Sequence, residues 1–268
     1  MQVISSECVI LRNRDFREGD RLVTFLARDK GRISGIARGS RKTTARSVSA
    51  FEPCTRGTVF YVEKQGVELV TIRKCDPLPP YLLLTGDYDK IVVGGYFAEL
   101  TELAGISADD APVLYRLLCD GLQALYDASG PLAVGLARLR FELGYLACLG
   151  LQPDLGRCGV CGRELFHAHG ATPQLAQRGE HGFDVARGVL RCPACHVPGD
   201  RALPLVAGSM AFLGAWLSAA KASPVRPTHL ALEQIEAAIS QHLVHHLERL
   251  PRSLHLLPKP GHSAGSNP

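Results

Sequence analysis

The sequence lacks any uncharged apolar run of about 18 residues, the length that crosses a bilayer as a helix. Its N-terminal stretch MQVISSECVILRNRDF mixes acids and bases where a secretory leader keeps an apolar segment, so a cytoplasmic protein with no membrane partner is expected. Paired carboxylates in a motif setting, a nucleophile elbow and a supported triad are all missing, and an enzyme is not expected. No internal repeat occurs, which sets aside solenoids and propellers. Aromatic residues make up only 6% of the chain, so a partner held mainly by ring stacking finds few platforms. Disorder throughout is excluded, because 268 residues that are 46% hydrophobic can bury a substantial core.

Cysteine is present in an odd number, nine, and unevenly placed. Cys8, Cys54, Cys75, Cys119 and Cys148 stand singly, as small buried thiols do in a reducing compartment. The other four form two knuckles, Cys158-Gly-Val-Cys161 and Cys192-Pro-Ala-Cys195, separated by 30 residues. A CxxC loop lets two thiolates reach one ion, and two loops complete a tetrahedral site, so one structural Zn²⁺ is expected on Cys158, Cys161, Cys192 and Cys195. Glycines 159 and 162 free the backbone to turn around the metal, and Arg157, Arg163 and Arg191 offset its negative ligand shell. Four thiolates leave no open position; the ion would serve to fold a segment too poor in apolar residues to fold itself. A thioredoxin-like redox pair would need a CxxC opening a helix in a βαβ unit, and a zinc deaminase would need an upstream HxE, and neither occurs.

Charge is also uneven. Residues 1–76 carry 15 Lys/Arg against 9 Asp/Glu, residues 77–150 carry 4 against 9, and residues 151–268 carry 11 against 8. The basic field peaks in GIARGSRKTTARS, Gly35 to Ser47, which has four basic residues and no acid. A phosphate loop of the GxxxxGK[ST] type is excluded there, because Ile36 and Arg41 stand where its glycines belong. A nucleic-acid backbone fits: Arg38, Arg41, Lys42 and Arg46 leave the third strand on a Gly/Ser/Thr loop, with Arg12, Arg14, Arg17, Arg21, Arg28 and Arg32 on neighbouring strands and turns. With few aromatics, such contacts would be sequence-blind and salt-sensitive.

The order of elements is legible from periodicity. SECVILR, RLVTFLAR, GRISGIAR, GTVFYVEK and VELVTIRK read as five strands joined by short turns over residues 1–78, the pattern of a partly open OB-type barrel, which an SH3-like barrel or a two-sheet sandwich would also give. Pro77, Pro79 and Pro80 end it. Helical spacing then runs through YDKIVVGGYFAELTELA, APVLYRLLCDGLQALYD and PLAVGLARLRFELGYLACLG within residues 79–150, and resumes over 203–257 after an inserted cysteine module at 151–202. The last helix presents Leu232, Ile235, Ile239, Leu243, Leu247 and Leu250 on one face, with His242, His245 and His246 on its polar side, and residues 258–268 read as a disordered tail. The expected class is α+β multidomain: an OB-fold barrel followed by a helical bundle with an inserted four-cysteine zinc module.

Three motifs sharpen this reading: GDRLVTFLARDKGRISGIARGSRK, Phe51-Glu52-Pro53, and RFELGYLACLGLQPDLGRCGVCGREL running into the first knuckle. Together with the order of parts, they resemble the bacterial recombination mediator family RecO over about residues 1–255. The resemblance implies a DNA repair and recombination protein that binds single- and double-stranded DNA and anneals complementary strands. It further implies loading of RecA, together with RecR, on DNA coated by single-strand-binding protein, and hence a nucleoid-associated location. Arg38, Arg41 and Lys42 match the family's basic motif, and the four knuckle cysteines match its zinc ligands. Two positions depart from it: Cys54 stands where the family commonly has an aromatic, and Arg38 replaces a frequent lysine. Two other readings of the same residues are a zinc-containing adaptor whose barrel is merely solvated, and an RNA-binding OB protein.

Overall fold

The computed structural model describes residues 2–40, 50–78, 86–167, 170–173, 179–197, 199, 201–218 and 227–258. They form two compact units: one spans residues 1–129 with 251–258, the other residues 130–250.

The first unit is built on a closed barrel of β1 (Ile4–Phe16), β2 (Asp20–Ala27), β3 (Gly31–Ala37), β4 (Arg56–Lys64) and β5 (Val67–Pro77), in the order β1-β2-β3-β5-β4. All neighbouring pairs are antiparallel except β3 with β5, which closes the barrel as a parallel seam at Gly35↔Val70, Ile36↔Thr71 and Ala37↔Ile72. This is the OB arrangement expected from the sequence. Gly35 is required at the seam, since a Cβ there would lie 2.5 Å from a Val70 methyl and 2.8 Å from the Val70 carbonyl oxygen. The interior is apolar, with Ile10, Val23, Phe25, Val59, Tyr61 and Ile72 all at most 3% exposed. Strict alternation would bury every second strand residue. In β1 four in a row, Cys8 to Leu11, are buried, because a bulge falls between Ile10 and Arg12 and helices cover the outer face.

Those helices are α1 (Tyr88–Leu103) and α2 (Ala111–Asp127). The Asp87 side chain caps α1 by accepting from the Lys90 N–H at 3.2 Å, and Pro112 suits the first turn of α2. Both pack on the barrel within this unit, α2 meeting the β2–β3 turn, where Gly31 approaches Ala111. The chain returns to α1 near its end: the Glu99 carboxylate accepts from the backbone N–H groups of Arg252 and Ser253 at 2.7 and 2.9 Å, opening the short 3₁₀ turn Arg252–Leu256. Burial pushes the Glu99 carboxyl up, but those N–H donors outweigh it and hold it below the ordinary carboxylate range.

The second unit holds α3 (Pro131–Cys148), α4 (Ala207–Ser218) and α5 (His229–His246), with a four-stranded sheet of order β11-β9-β10-β6. Its strands are β6 (Asp154–Cys158), β9 (His181–Asp184), β10 (Val189–Arg191) and β11 (Leu203–Leu205), and a separate pair joins β7 (Phe166–His167) to β8 (Gly170–Pro173). The apolar face read for the last helix holds at Leu232, Ile235, Ile239 and Leu243, but α5 ends at His246 and leaves Leu250 49% exposed. His242 departs from the polar face assigned to it. It is 3% exposed, and its ring nitrogens lie 2.7 Å from the Val185 carbonyl and 3.0 Å from the Leu151 carbonyl, because loop backbone beside α5 offers acceptors a helical wheel cannot show.

Helices α3 and α5 meet around charge. Arg138 bonds Glu142 at 3.0 Å and faces Glu236 at 3.8 Å, all three nearly out of water. Gly135 lets this contact form, since a Cβ there would lie 2.7 Å from Glu236 Oε1. Burial drives the Glu236 carboxyl up to about 7; Arg138 opposes the rise and the Glu142 carboxylate adds to it.

Candidate nucleic-acid interface and metal centre

Strand register sorts the basic residues. Arg14 pairs with Leu22, and Arg21 pairs with Asp15 on one side and Ala37 on the other. The end of β1, the start of β2 and the end of β3 therefore lie together, and Arg14, Arg17, Arg21 and Arg38 gather at one end of the barrel. Arg32 does not: it pairs with Leu26 beside the β2–β3 turn at the opposite end, where it donates to the Glu102 carbonyl oxygen at 3.1 Å. Arg41, Lys42 and Arg46 lie outside the described residues; their segment departs from Ser40 and rejoins at Ala50, at the end that holds Arg38.

Contacts at that end separate exposed cations from engaged ones. Arg21 is turned to Glu52 at 3.1 Å with its side chain 15% exposed, and Asn13 donates to the Phe51 carbonyl oxygen at 2.7 Å. The Phe51-Glu52-Pro53 motif thus ties the returning segment to β1 and β2. Asp20 Oδ1 accepts from the Gly39 N–H at 2.9 Å and pins the turn that carries Arg38. Arg14, Arg17 and Arg38 are exposed. At the other end and along the flanks, cations are more often spoken for: Arg12 with Glu102, Arg28 with Glu7 and Lys30 with Glu63. The aromatic rings of the barrel divide similarly. Phe25, Phe51 and Tyr61 belong to the core, while Phe16 and Phe60 are half-buried, with Arg17 over the first ring at 5.2 Å and Lys74 over the second at 4.3 Å.

A contribution missed in the sequence comes from β5. Phe60 pairs with Lys74 and Tyr61 with Ile72, so Arg73 is the extra residue of a bulge. Two apolar positions three apart, Ile72 and Cys75, are the available signal, since a regular strand turns residues two apart to one side.

The two knuckles meet for a topological reason. β6 and β10 are parallel neighbours, with Leu190 paired to Cys158, and one CxxC follows each, so both emerge from the same end of adjacent strands. The first loop closes through Cys158 N–H to the Arg163 oxygen at 2.8 Å and Gly162 N–H to the Cys158 oxygen at 2.9 Å; the second through Cys195 N–H and His196 N–H to the Cys192 oxygen at 2.8 and 2.9 Å. Gly162 supplies the positive φ, +72°, that the loop demands. Gly159 is needed for space instead, because a Cβ there would strike Val189 at 2.4 Å; its lack of a side chain seats the knuckle against β10.

The four sulfurs lie within 4.8 Å of one another, and Cys161 and Cys192 are 3.8 Å apart. Thiolates about 2.3 Å from one tetrahedral ion have sulfur–sulfur edges of about 3.8 Å, whereas a disulfide bond is about 2.05 Å. The group therefore has the dimensions of a four-sulfur metal site. Burial pushes the Cys158 thiol up, but the backbone N–H groups of Cys161, Cys192 and Val160 outweigh it and hold it at about 6. Cys195 is pushed up to about 12, chiefly by the Cys192 thiol, and burial raises Cys192, since sulfurs this close cannot all ionise without a cation among them. The flanking arginines are engaged nearby, Arg191 with Asp184 and Arg157 with Glu164 at 3.4 Å. No helix among the described residues is long and apolar enough to cross a membrane.

Comparison with known proteins agrees with both halves. Residues 1–81 match the family model "Recombination protein O N terminal" and residues 85–255 match "Recombination protein O C terminal". The chain is 34% identical over 245 residues to the DNA repair protein RecO of Anaeromyxobacter sp. (strain K), covering 90% of each. It is 30% identical to that of Desulforudis audaxviator over 98% of this chain and 100% of the relative, and 31% identical to that of Nocardioides sp. (strain ATCC BAA-499 / JS614) over 92% and 96%. The barrel lies within the first match, the four-cysteine cluster within the second, and the chain belongs to the RecO family of DNA repair proteins.

Proposed function

We propose that the chain binds single- and double-stranded DNA through the basic end of its barrel, anneals complementary strands, and with RecR helps load RecA on DNA coated by single-strand-binding protein. The observation that carries this reading is the gathering of Arg14, Arg17, Arg21 and Arg38 at the barrel end from which the Arg41–Arg46 segment departs. Two strands repel through their phosphates; a cationic surface lowers that repulsion by releasing counterions and leaves base edges free to pair. No side chain needs to break a bond, and the chain acts as a mediator without catalytic residues. Arg32, at the opposite end, enters only as part of the wider field.

The metal is a single structural Zn²⁺ on Cys158, Cys161, Cys192 and Cys195. A d¹⁰ ion accepts the tetrahedral, all-sulfur geometry that these knuckles offer, and its binding free energy supports the fold of the small sheet around it. The working compartment is the cytoplasm, at the nucleoid.

The test is binding of a labelled single strand across a salt series, for wild type and for a variant with Arg38, Arg41, Lys42 and Arg46 reversed to Glu. Wild type should lose affinity linearly on a log–log plot, with a slope near 0.7 per phosphate contact, and the folded variant should bind about 100-fold more weakly at low salt. Equal binding by the two proteins would reject this surface. An RNA strand of the same length, bound much more tightly than DNA, would favour an RNA-binding OB protein.

A further inference from the structure

At the basic end of the barrel the seam between β3 and β5 opens. Their pairing stops at Ala37↔Ile72, and just beyond it lies a pocket of about 270 Å³ lined by Ala37–Ser40, Ala50, Phe51 and Ile72–Cys75. Its floor is apolar and buried: Ala37, Ala50, Phe51 and Ile72 are each at most 5% exposed. Its rim is cationic and exposed, with Arg38 on the turn just past β3 and Arg73 and Lys74 on β5. The bulge at Arg73 accounts for this division, because the extra residue turns Ile72 and Cys75 inward and leaves two consecutive cations outward. Lys74 already holds Asp76 and covers the Phe60 ring, so Arg38 and Arg73 are the main N–H donors to an anion.

An apolar floor beneath two guanidinium groups suits a ligand with one anionic end and one flat apolar body. The size agrees: drug-sized sites run from roughly 300 to 1,000 Å³, and this pocket sits just below that range, room for one small group and not for a stretch of chain. We infer that the pocket takes a single nucleotide of a bound single strand, its phosphate between Arg38 and Arg73 and its base turned onto the floor formed by Ile72 and Phe51. The inference rests on the DNA-binding reading above and adds to it a residue, Arg73, and a preference. In a duplex every base is stacked and paired, so filling this pocket requires unpaired DNA, and the site favours single strands over duplex at equal phosphate number.

The test compares three labelled DNAs matched in phosphate number: oligo-dT, the same backbone with abasic sites throughout, and a duplex half as long. Proteins are wild type, Arg73→Ala, and Arg116→Ala as a control that removes one exposed charge from α2; thermal melting establishes that each is folded. Wild type should bind oligo-dT about tenfold more tightly than the abasic strand, the scale of one base contact. Arg73→Ala should lose most of that difference, lower the salt slope for oligo-dT by about 0.7 and leave duplex binding nearly unchanged, while Arg116→Ala behaves as wild type. Equal wild-type affinity for dT and abasic strands, or an Arg73→Ala variant indistinguishable from wild type on dT, overturns the pocket while leaving the DNA-binding barrel standing. Failure of wild type to bind any of the three at low salt overturns the barrel reading itself.

Discussion

The barrel and the cysteine module are stabilised in opposite ways. In the barrel the charges lie outside and the interior is apolar: Phe25, Val59 and Tyr61 are fully buried, while Arg14, Arg17 and Arg38 reach water. The module brings four ionisable sulfurs together, and among its described residues few apolar side chains are buried, chiefly Leu155, Leu165, Phe183 and Leu190. Removing charge should therefore have opposite consequences in the two places. On the barrel it should weaken binding and spare the fold; in the module it should remove the fold.

The largest expected effect breaks the module. Cys158→Ser or Cys192→Ser, or extraction of the metal by a strong chelator, should abolish stoichiometric zinc and expose residues 151–202 to protease, because zinc-finger peptides draw about 10 kcal/mol or more from the ion. Metal analysis and limited proteolysis check this, and a variant that keeps protease resistance with no metal bound would end the structural-zinc proposal. The matching attack on the barrel is steric. Gly35→Val forces a branched side chain onto Val70 at the β3–β5 seam, and the expected cost is about 3 kcal/mol or more, read as a lower midpoint in urea.

A smaller effect sharpens the comparison by pH. Burial raises the Glu236 carboxyl from its ordinary 4.5 to about 7, so the folded chain holds a proton that the unfolded chain releases earlier. Stability from this group is fully present below pH 4.5 and declines as pH rises to about 7, by about 3 kcal/mol in all. Glu236→Gln should flatten that decline, raising Tm at about pH 8 and changing it little below the ordinary 4.5. Among the described residues no strand of the barrel buries an Asp or Glu, so the barrel should add no such slope.

Much of this is legible in the sequence, for physical reasons. Short β-rich runs between tight turns define the barrel, 3.6-residue periodicity defines the helices, and CxxC spacing defines the four-cysteine cluster. What escapes depends on contacts across the chain. A bulge adds one residue without changing composition, so Arg73 reads as an ordinary strand residue. His242 looks polar-faced because the carbonyls of Leu151 and Val185 come from distant loops. Arg32 is separable from Arg21 and Arg38 in advance, since a hairpin turning at Asp29-Lys30-Gly31 sends them to opposite ends. The expectations for Arg41, Lys42, Arg46 and the chain end beyond residue 258 lie outside the described residues.

Whether the basic barrel end serves strand annealing is decided by the annealing rate of two complementary labelled oligonucleotides. The strands are offered naked and coated with single-strand-binding protein, to wild type and to the Arg38/Arg41/Lys42/Arg46→Glu variant. Wild type should accelerate both reactions, and the folded variant neither. A variant as fast as wild type, or a wild type that accelerates neither reaction, would show that the charge on this end of the barrel is not for annealing.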